Sequence, residues 1–381
     1  MTDGNMLEKI NNGIFVIAEI GKNYIQTEEI NSIDEYLQNA KQLIKSAKKC
    51  GADAVKFQTH NVEDEQINID VFSPHFKGND RYSWVKRNTD STPLEMFWIP
   101  LKEYCDTLKI NFFSTPMSRG AAEILIKLDV DMWKVGSGDL LDFLMLDYLA
   151  STKKPIILSS GMSTLEEIDK TISFLKKRNA EIALLHCVSS YPCSVENLNL
   201  FTIKMLQKIY EIPIGFSDHS LDNLSSIIAC CIGAKIIEKH FSFSRDYWGP
   251  DHKVSITPKE FKELISEIRN FEKNPELYKE KLINSNKNLI KKMIGKESKL
   301  LQENESQFRP IFRKSLVSSM DIKKGTKLLP NMLYAMRPQE YIKGLPSEDY
   351  EKILGKKINK DLKKYEPITK DSLTNFKIEQ G

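Results

Sequence analysis

Lysines and histidines stand in this chain where a buried strand would ordinarily hold only apolar side chains. Lys56 lies within AVKFQT and Lys134 within MWKVGSG. Burying an ammonium unpaired is costly, so each lysine asks for a counter-charge or an anionic ligand. Thr115, Ser137, Ser159 and Ser217 end similar runs and would add hydroxyl donors around the same point, a set that suits a phosphate. The competing reading is a structural network in which the lysines pair with Glu19 or Glu238. His219 and His240 close two successive runs, and imidazoles on adjacent strands can share one divalent ion while leaving positions open for substrate and water. Glu238, two residues before His240, shares its face and could orient a ligand. Glu19 in AEIGKN and Asp251 in GPDH offer carboxylates that bind hydroxyls or move a proton. Their structural alternatives are a Glu19–Lys56 ion pair and a Gly-Pro turn served by Asp251. His60, His75, His186 and His252 read as structural or surface residues.

Such side chains converge only if the runs that carry them lie side by side. Eight runs are rich in β-branched residues and break into Gly, Ser, Thr, Asp or His: VIAEIG from Val16, AVKFQT from Ala54, INFFSTP from Ile110, MWKVGSG from Met132, PIILSSG from Pro155, IALLHCV from Ile182, IPIGFSD from Ile212 and AKIIEKHF from Ala234. Continuous apolarity marks parallel strands covered on both faces. The segments between have helical periodicity. IDEYLQNAKQLIKSAKKCG puts Ile33, Leu37, Ala40, Leu43, Ile44 and Ala47 on one stripe and stops at Gly51. STLEEIDKTISFLKKR offers Ser163 as N-cap with Glu166 three residues on. Eight β-then-α units predict an α/β protein built on a (β/α)₈ TIM barrel, with reactive groups at the C-terminal ends of the strands. An open doubly wound sheet is the alternative, weakened because no G-x-G-x-x-G follows the first run.

Two stretches depart from the repeat. Residues 61–93 are too long for a plain connection and predict a loop or lid over the barrel mouth. From Arg269 to Lys299 nine Lys/Arg face four Asp/Glu, the pattern of a solvated helical linker. Beyond it, DIKKGTKLLPNML from Asp321 and DLKKYEPITKDSL from Asp361 share four of thirteen positions. That weak repeat suggests a small pseudo-symmetric β unit.

Composition narrows the function classes. The 381 residues carry a formal charge of +3, too little for a general nucleic-acid binder, although a local basic patch could hold a phosphorylated small molecule. The longest uncharged apolar run, Ile227 to Ala234, falls far short of the roughly 20 residues that span a bilayer. The start lacks the basic and apolar regions of an export signal, and the six cysteines show no C-x-x-C spacing, so a cytoplasmic protein with reduced thiols is expected.

The ordered set AEIG, GADAVKFQTH followed by VEDE, KGN, FFSTP, WKVGSGD, KPIILSSGMST, ALLHCVSSYP, IGFSDHS, IEKHF, GPDHKVS and a distant MRP resembles the sialic acid (N-acetylneuraminate) synthase family, including its legionaminate and pseudaminate relatives, over nearly the whole chain. The resemblance implies a barrel over residues 1–275, a basic helical linker over 276–312 and a small antifreeze-like (SAF) domain over 313–381. It implies condensation of phosphoenolpyruvate with open-chain N-acetylmannosamine or a related hexose, giving a nonulosonic acid and phosphate. Under it His219 and His240 would ligate manganese or magnesium. Lys56, Thr115, Lys134, Ser137, Ser159 and Ser217 match positions that hold phosphoenolpyruvate. Gln58, Asn79, Tyr191 and Asp251 match the sugar side, with Glu19 near the reacting carbons. Arg337, in MRP, matches an arginine that a partner's SAF domain extends over the barrel, which implies a domain-swapped homodimer.

The chain departs from that pattern in two places. Asn23, Tyr24, Ile25 and Gln26 stand where the family usually has N-H-x-G, and Ser189 stands where asparagine is common. These bear on the sugar more than on the reaction. Two other readings remain: a Schiff-base aldolase using Lys134 or Lys56, and an ice- or carbohydrate-binding tail on an inactive barrel.

Overall fold

In the computed structural model, which describes residues 10, 12–71 and 80–374, the eight runs form eight strands. They are β1 (Phe15–Gly21), β2 (Ala54–Thr59), β3 (Asn111–Pro116), β4 (Trp133–Val135), β5 (Ile156–Ser159), β6 (Ile182–Cys187), β7 (Ile214–Asp218) and β8 (Ile236–His240). Their hydrogen-bonded pairs are parallel, in the order β3-β2-β1-β8-β7-β6-β5-β4. An open sheet would hold its end strands apart; here β3 and β4 pack against each other and close a barrel.

Alternation along the strands places the chemistry. Phe15, Ile17, Ala54, Phe113, Met132, Ile157, Leu185 and Ile236 form one buried cluster filling the lower barrel. Side chains two residues apart share a face, so the same inward stripes continue upward into Glu19, Lys56, Thr115, Lys134, Ser159, Cys187 and Glu238. The outward residues Val16, Ala18, Val55 and Phe57 join the larger core beneath the helices.

The first crossover helix, Ile33–Cys50, buries the expected stripe, is capped by Ser32 and ends at Gly51, whose φ of 97° suits glycine. The helix after β5 begins one residue later than expected. Leu165–Lys176 is capped by Thr164, whose hydroxyl accepts from Glu167 N while the Glu167 carboxylate accepts from Thr164 N. Ser163 instead donates to Gly161 O and accepts from Arg313. Glu167 is doubly engaged, since Arg309 and Arg313 also bind it, and this decides between two adjacent hydroxyl residues.

Within residues 61–93, helices Val62–Glu65 and Arg81–Ser91 stand beside the barrel mouth. The basic stretch forms the largely exposed helix Pro275–Ile294. The chain that follows is no solvated connector. Glu305, fully buried on helix Glu303–Ser306, accepts at 2.9 Å from both Met162 N and Ser189 N in the loops after β5 and β6. Helix Arg309–Phe312 then leads into β9 (Ser315–Ser318), antiparallel to β10 (Leu333–Met336). The weak repeat is a real pseudo-symmetry. Lys363 pairs with Asp321 as Lys323 pairs with Asp361, each at 2.7 Å, and Ile322 bridges Leu362 between them. Among the described residues no helix is long and apolar enough to cross a membrane.

Candidate active site

The polar ends of the inward stripes open into one cavity at the barrel mouth, with about 1110 Å³ of empty volume including space open to solvent. Every candidate binding or catalytic residue lines it except Asn79, which, like His75, lies outside the described residues. His186 and His252 are structural, as expected. His186 donates to Leu198 O, and His252 bonds Ser242 and Ile25 O.

At one end the lysines form the ion-pair network with Glu19 and Glu238 and also line the cavity. Lys56 Nζ lies 2.7 Å from Glu19 Oε2, 3.7 Å from Glu238 Oε2 and 3.1 Å from Thr115 Oγ1. Lys134 Nζ donates to Ser159 Oγ at 2.6 Å and lies 3.9 Å from Glu238 Oε1, which also accepts from Ser217 at 3.0 Å. Glu238 thus faces the lysines rather than serving a histidine. Burial lowers Lys134, whereas Glu19 and Glu238 hold Lys56 above the usual lysine range against the same burial. Burial also pushes the Glu19 carboxyl up to about 7, with Lys56 opposing and Glu238 adding to the rise.

Across the cavity the His219 and His240 rings lie 5.6 Å apart between centroids, and Tyr191 packs 4.1 Å from His219. His219 Nδ1 is 2.8 Å from Val188 O, so that nitrogen carries a proton; burial lowers the imidazole, but Cys187 and the Val188 carbonyl outweigh burial and hold it above its usual range. Burial lowers His240 to about 3, which keeps it neutral, and its buried Nδ1 has no hydrogen-bond partner among the described residues. Neutral His240 and His219, whose Nδ1 is committed to Val188 O, each keep one ring nitrogen that fits a divalent cation, which His219 would take on losing its second proton. No third His, Cys, Asp or Glu completes a cluster among the described residues, so substrate and water would fill the remaining positions.

Toward solvent, Gln58 Nε2 donates to Glu19 Oε1 at 2.8 Å, Gln58 Oε1 accepts from Lys22 Nζ at 2.8 Å, and Lys22 lies 3.9 Å from Asp251. The far wall comes from the C-terminal unit. Arg337 is buried, pairs with Asp139, and donates its backbone N–H to Glu65 O at 2.9 Å. In the single chain described, Arg337 lies over the barrel of its own chain. Arg309 and Arg313 anchor the connector on Glu167 and so hold the C-terminal unit over its own barrel.

Several lining residues carry no signal in the strand pattern. Lys22, Arg81, Trp84, Phe308 and Phe312 line the mouth from loops and short helices. The Phe308–Phe312 pair, four residues apart beside Arg309 and Arg313, is the one hint that the connector has an inward face. The Tyr24 departure points away from the cavity, its ring 5.0 Å from Phe97 and 6.1 Å from Tyr36. Ser189 does reach the cavity, and its buried hydroxyl has no partner among the described residues.

Comparison with known proteins accords with this geometry. The NeuB family profile matches residues 43–277 and the SAF domain profile residues 313–374. Pseudaminic acid synthase of Helicobacter pylori is 32% identical over 365 residues, covering 94% of this chain and 97% of that protein. N,N'-diacetyllegionaminic acid synthase of Legionella pneumophila is 31% identical over 359 residues, 91% of each. A solved structure of N-acetylneuraminic acid (sialic acid) synthetase from Leptospira borgpetersenii, in complex with citrate, shares 31% identity with a TM-score of 0.59, over 78% of this chain and 90% of that one. The profile spans more than half of the chain and the relatives nearly all of it. The chain therefore belongs to the NeuB family and carries a SAF domain behind its barrel.

Proposed function

We propose that this cavity condenses phosphoenolpyruvate, water and open-chain N-acetylmannosamine into N-acetylneuraminate and phosphate, a transferase reaction with C–O cleavage. Legionaminate or another N-acylneuraminate, made from a modified hexose, is the alternative product. The observation that carries the reading is the sharing of one cavity by Lys56 and Lys134 on one side and His219 and His240 on the other.

Lys56 and Lys134, with Thr115, Ser137, Ser159 and Ser217, hold the anionic donor and limit its repulsion as its C3 approaches the acceptor. His219 and His240 would hold Mn²⁺ or Mg²⁺, which supplies Lewis-acid polarisation of the acceptor aldehyde. Gln58, Asn79, Tyr191, Asp251 and Arg337 bind the hydroxyls and acyl group of the sugar and turn its aldehyde carbon toward C3. The C2–C3 π pair of the donor forms the new bond to the aldehyde carbon, the carbonyl π pair moves onto the aldehyde oxygen, which takes up a proton and becomes a hydroxyl, and the Glu19 and Glu238 carboxylates stabilise the positive charge left at C2. Water adds at C2 and yields its proton to Glu19. The bond from C2 to the bridging oxygen then breaks as the added hydroxyl becomes the C2 ketone and gives its proton to the phosphate, which leaves with that oxygen.

The lowered pKa of Lys134 favours one other reading, Schiff-base aldol chemistry. Borohydride trapping with pyruvate tests it. The homodimer belongs to the same proposal, with Arg337 closing either its own cavity, as here, or that of a second copy. Mixing a Lys134→Met chain with an Arg337→Ala chain separates the two, because only exchanged units rebuild one intact site. The reaction itself is tested with phosphoenolpyruvate, Mn²⁺ and a panel of N-acyl hexoses. A product of summed mass less phosphate supports the reading, and no condensation with any of them overturns it.

A further inference from the structure

Behind the two histidines, on the outer face of the same strands, lies a buried ion pair that the reaction does not touch. His219 and His240 face the cavity, so their chain neighbours Asp218 and Lys239 face outward toward helix Leu224–Ile232. These neighbours are paired in register across β7 and β8. Lys239 Nζ is 2.8 Å from Asp218 Oδ2, and both side chains are fully buried. Lys239 also donates to Ser220 O at 2.8 Å and Asp222 O at 2.7 Å, which occupies all three of its protons. Asp218 Oδ2 further accepts from Ser225 and Ser226 at 2.6 Å each, and Oδ1 accepts from Ser220 N at 2.8 Å.

A buried pair of this kind adds little net stability over apolar residues of the same shape, so its effect must be sought in geometry. Asp218 and Ser220, the residues on either side of His219, are both held by the pair, and Lys239 is the residue before His240. Any change in the separation of β7 and β8 at this level would move the two imidazoles relative to each other.

We propose that the Asp218–Lys239 pair is a positioning device that sets the separation of His219 and His240 for one shared divalent cation. The inference rests on the reading of those histidines as cation ligands. Its test is the affinity for Mn²⁺ alone, followed by the electron paramagnetic resonance of the free ion, in the full-length Asp218→Asn/Lys239→Met double variant. That variant removes both charges together and leaves neither unpaired. The expected result is a folded protein whose Mn²⁺ affinity falls roughly 10- to 100-fold, the range seen when groups supporting metal ligands are lost. Its KM for phosphoenolpyruvate should stay close to that of the parent.

Should the double variant fail to fold, Ser225→Ala and Ser226→Ala each remove one hydroxyl donor and no charge, and each should weaken Mn²⁺ binding by roughly twofold to fivefold. Folded variants that bind Mn²⁺ as tightly as the parent, while His219→Ala does not, would overturn the positioning role alone. A parent that binds no Mn²⁺, or a His219→Ala chain that binds it undiminished, would overturn the cation reading beneath it.

Discussion

Arg337 and Asp139 form a buried ion pair that fastens the C-terminal unit to the loop after β4. Lys314 holds the same carboxylate at 2.8 Å, so Asp139 keeps one cation when the other is removed. Arg337→Ala should therefore destabilise the chain by about 3 kcal/mol, the lower end of the cost of breaking a buried pair. It should also raise KM for the hexose far more than KM for phosphoenolpyruvate. Thermal unfolding and steady-state kinetics check both. An unchanged hexose KM counts against a place for Arg337 at the acceptor.

Glu65 makes the same junction sensitive to acid. Burial raises its carboxyl, but His60, Arg337 and Arg81 outweigh burial and hold it at about 2, below the ordinary 4.5. A carboxylate depressed by folding stabilises fully above its unfolded pKa and loses that contribution as pH falls toward the folded value. The window here runs from pH 4.5 down to about 2 and is worth about 3 kcal/mol. Glu65→Gln should thus unfold more readily than the parent at neutral pH, with the difference shrinking below pH 4.5. Denaturant titrations across that range decide it, and a difference independent of pH contradicts the assignment.

Glu19 should set a limb of the pH–rate profile. Its folded pKa is raised to about 7, and the proposed step needs its carboxylate to receive the proton of water. Activity at saturating Mn²⁺ should accordingly rise as pH passes through about 7. Glu19→Gln should be slower by roughly 100-fold or more and should lack that limb. A limb that survives the substitution belongs to another group.

Lys134→Met tests the anion end. The methionine fills similar volume, and Glu238 keeps Lys56 at 3.7 Å, so the fold should hold. KM for phosphoenolpyruvate should rise at least about tenfold, equivalent to losing one charge-assisted hydrogen bond, with hexose KM nearly unchanged. Equal effects on both substrates would place Lys134 elsewhere in the mechanism.

The barrel and most of its site are legible in the chain because strand alternation is local. Knowing that Ile17, Ala54 and Ile157 fill the interior is enough to place Glu19, Lys56 and Ser159 above them. The mouth is less legible, because Trp84, Phe308 and Phe312 reach it through tertiary docking and not through any period. The cap after β5 shows the same limit at small scale. By residue type Ser163 is a slightly better N-cap than Thr164, and the distant arginines on Glu167 favour the second. Tyr24 departs from the resemblance in text but not at the cavity, since the turn after β1 carries it into the aromatic cluster with Tyr36 and Phe97.

The central claim is that an enol donor held by two lysines meets a carbonyl acceptor beside two histidines and loses phosphate by C–O cleavage. Phosphoenolpyruvate labelled with ¹⁸O at the bridging oxygen, incubated with N-acetylmannosamine and Mn²⁺, tests it most directly by mass spectrometry of the released phosphate. The account predicts that the label leaves entirely in phosphate, that release requires the sugar, and that His219→Ala/His240→Ala abolishes release while the protein stays folded. Label retained in the acid, or release undiminished without the sugar or the histidines, would contradict it.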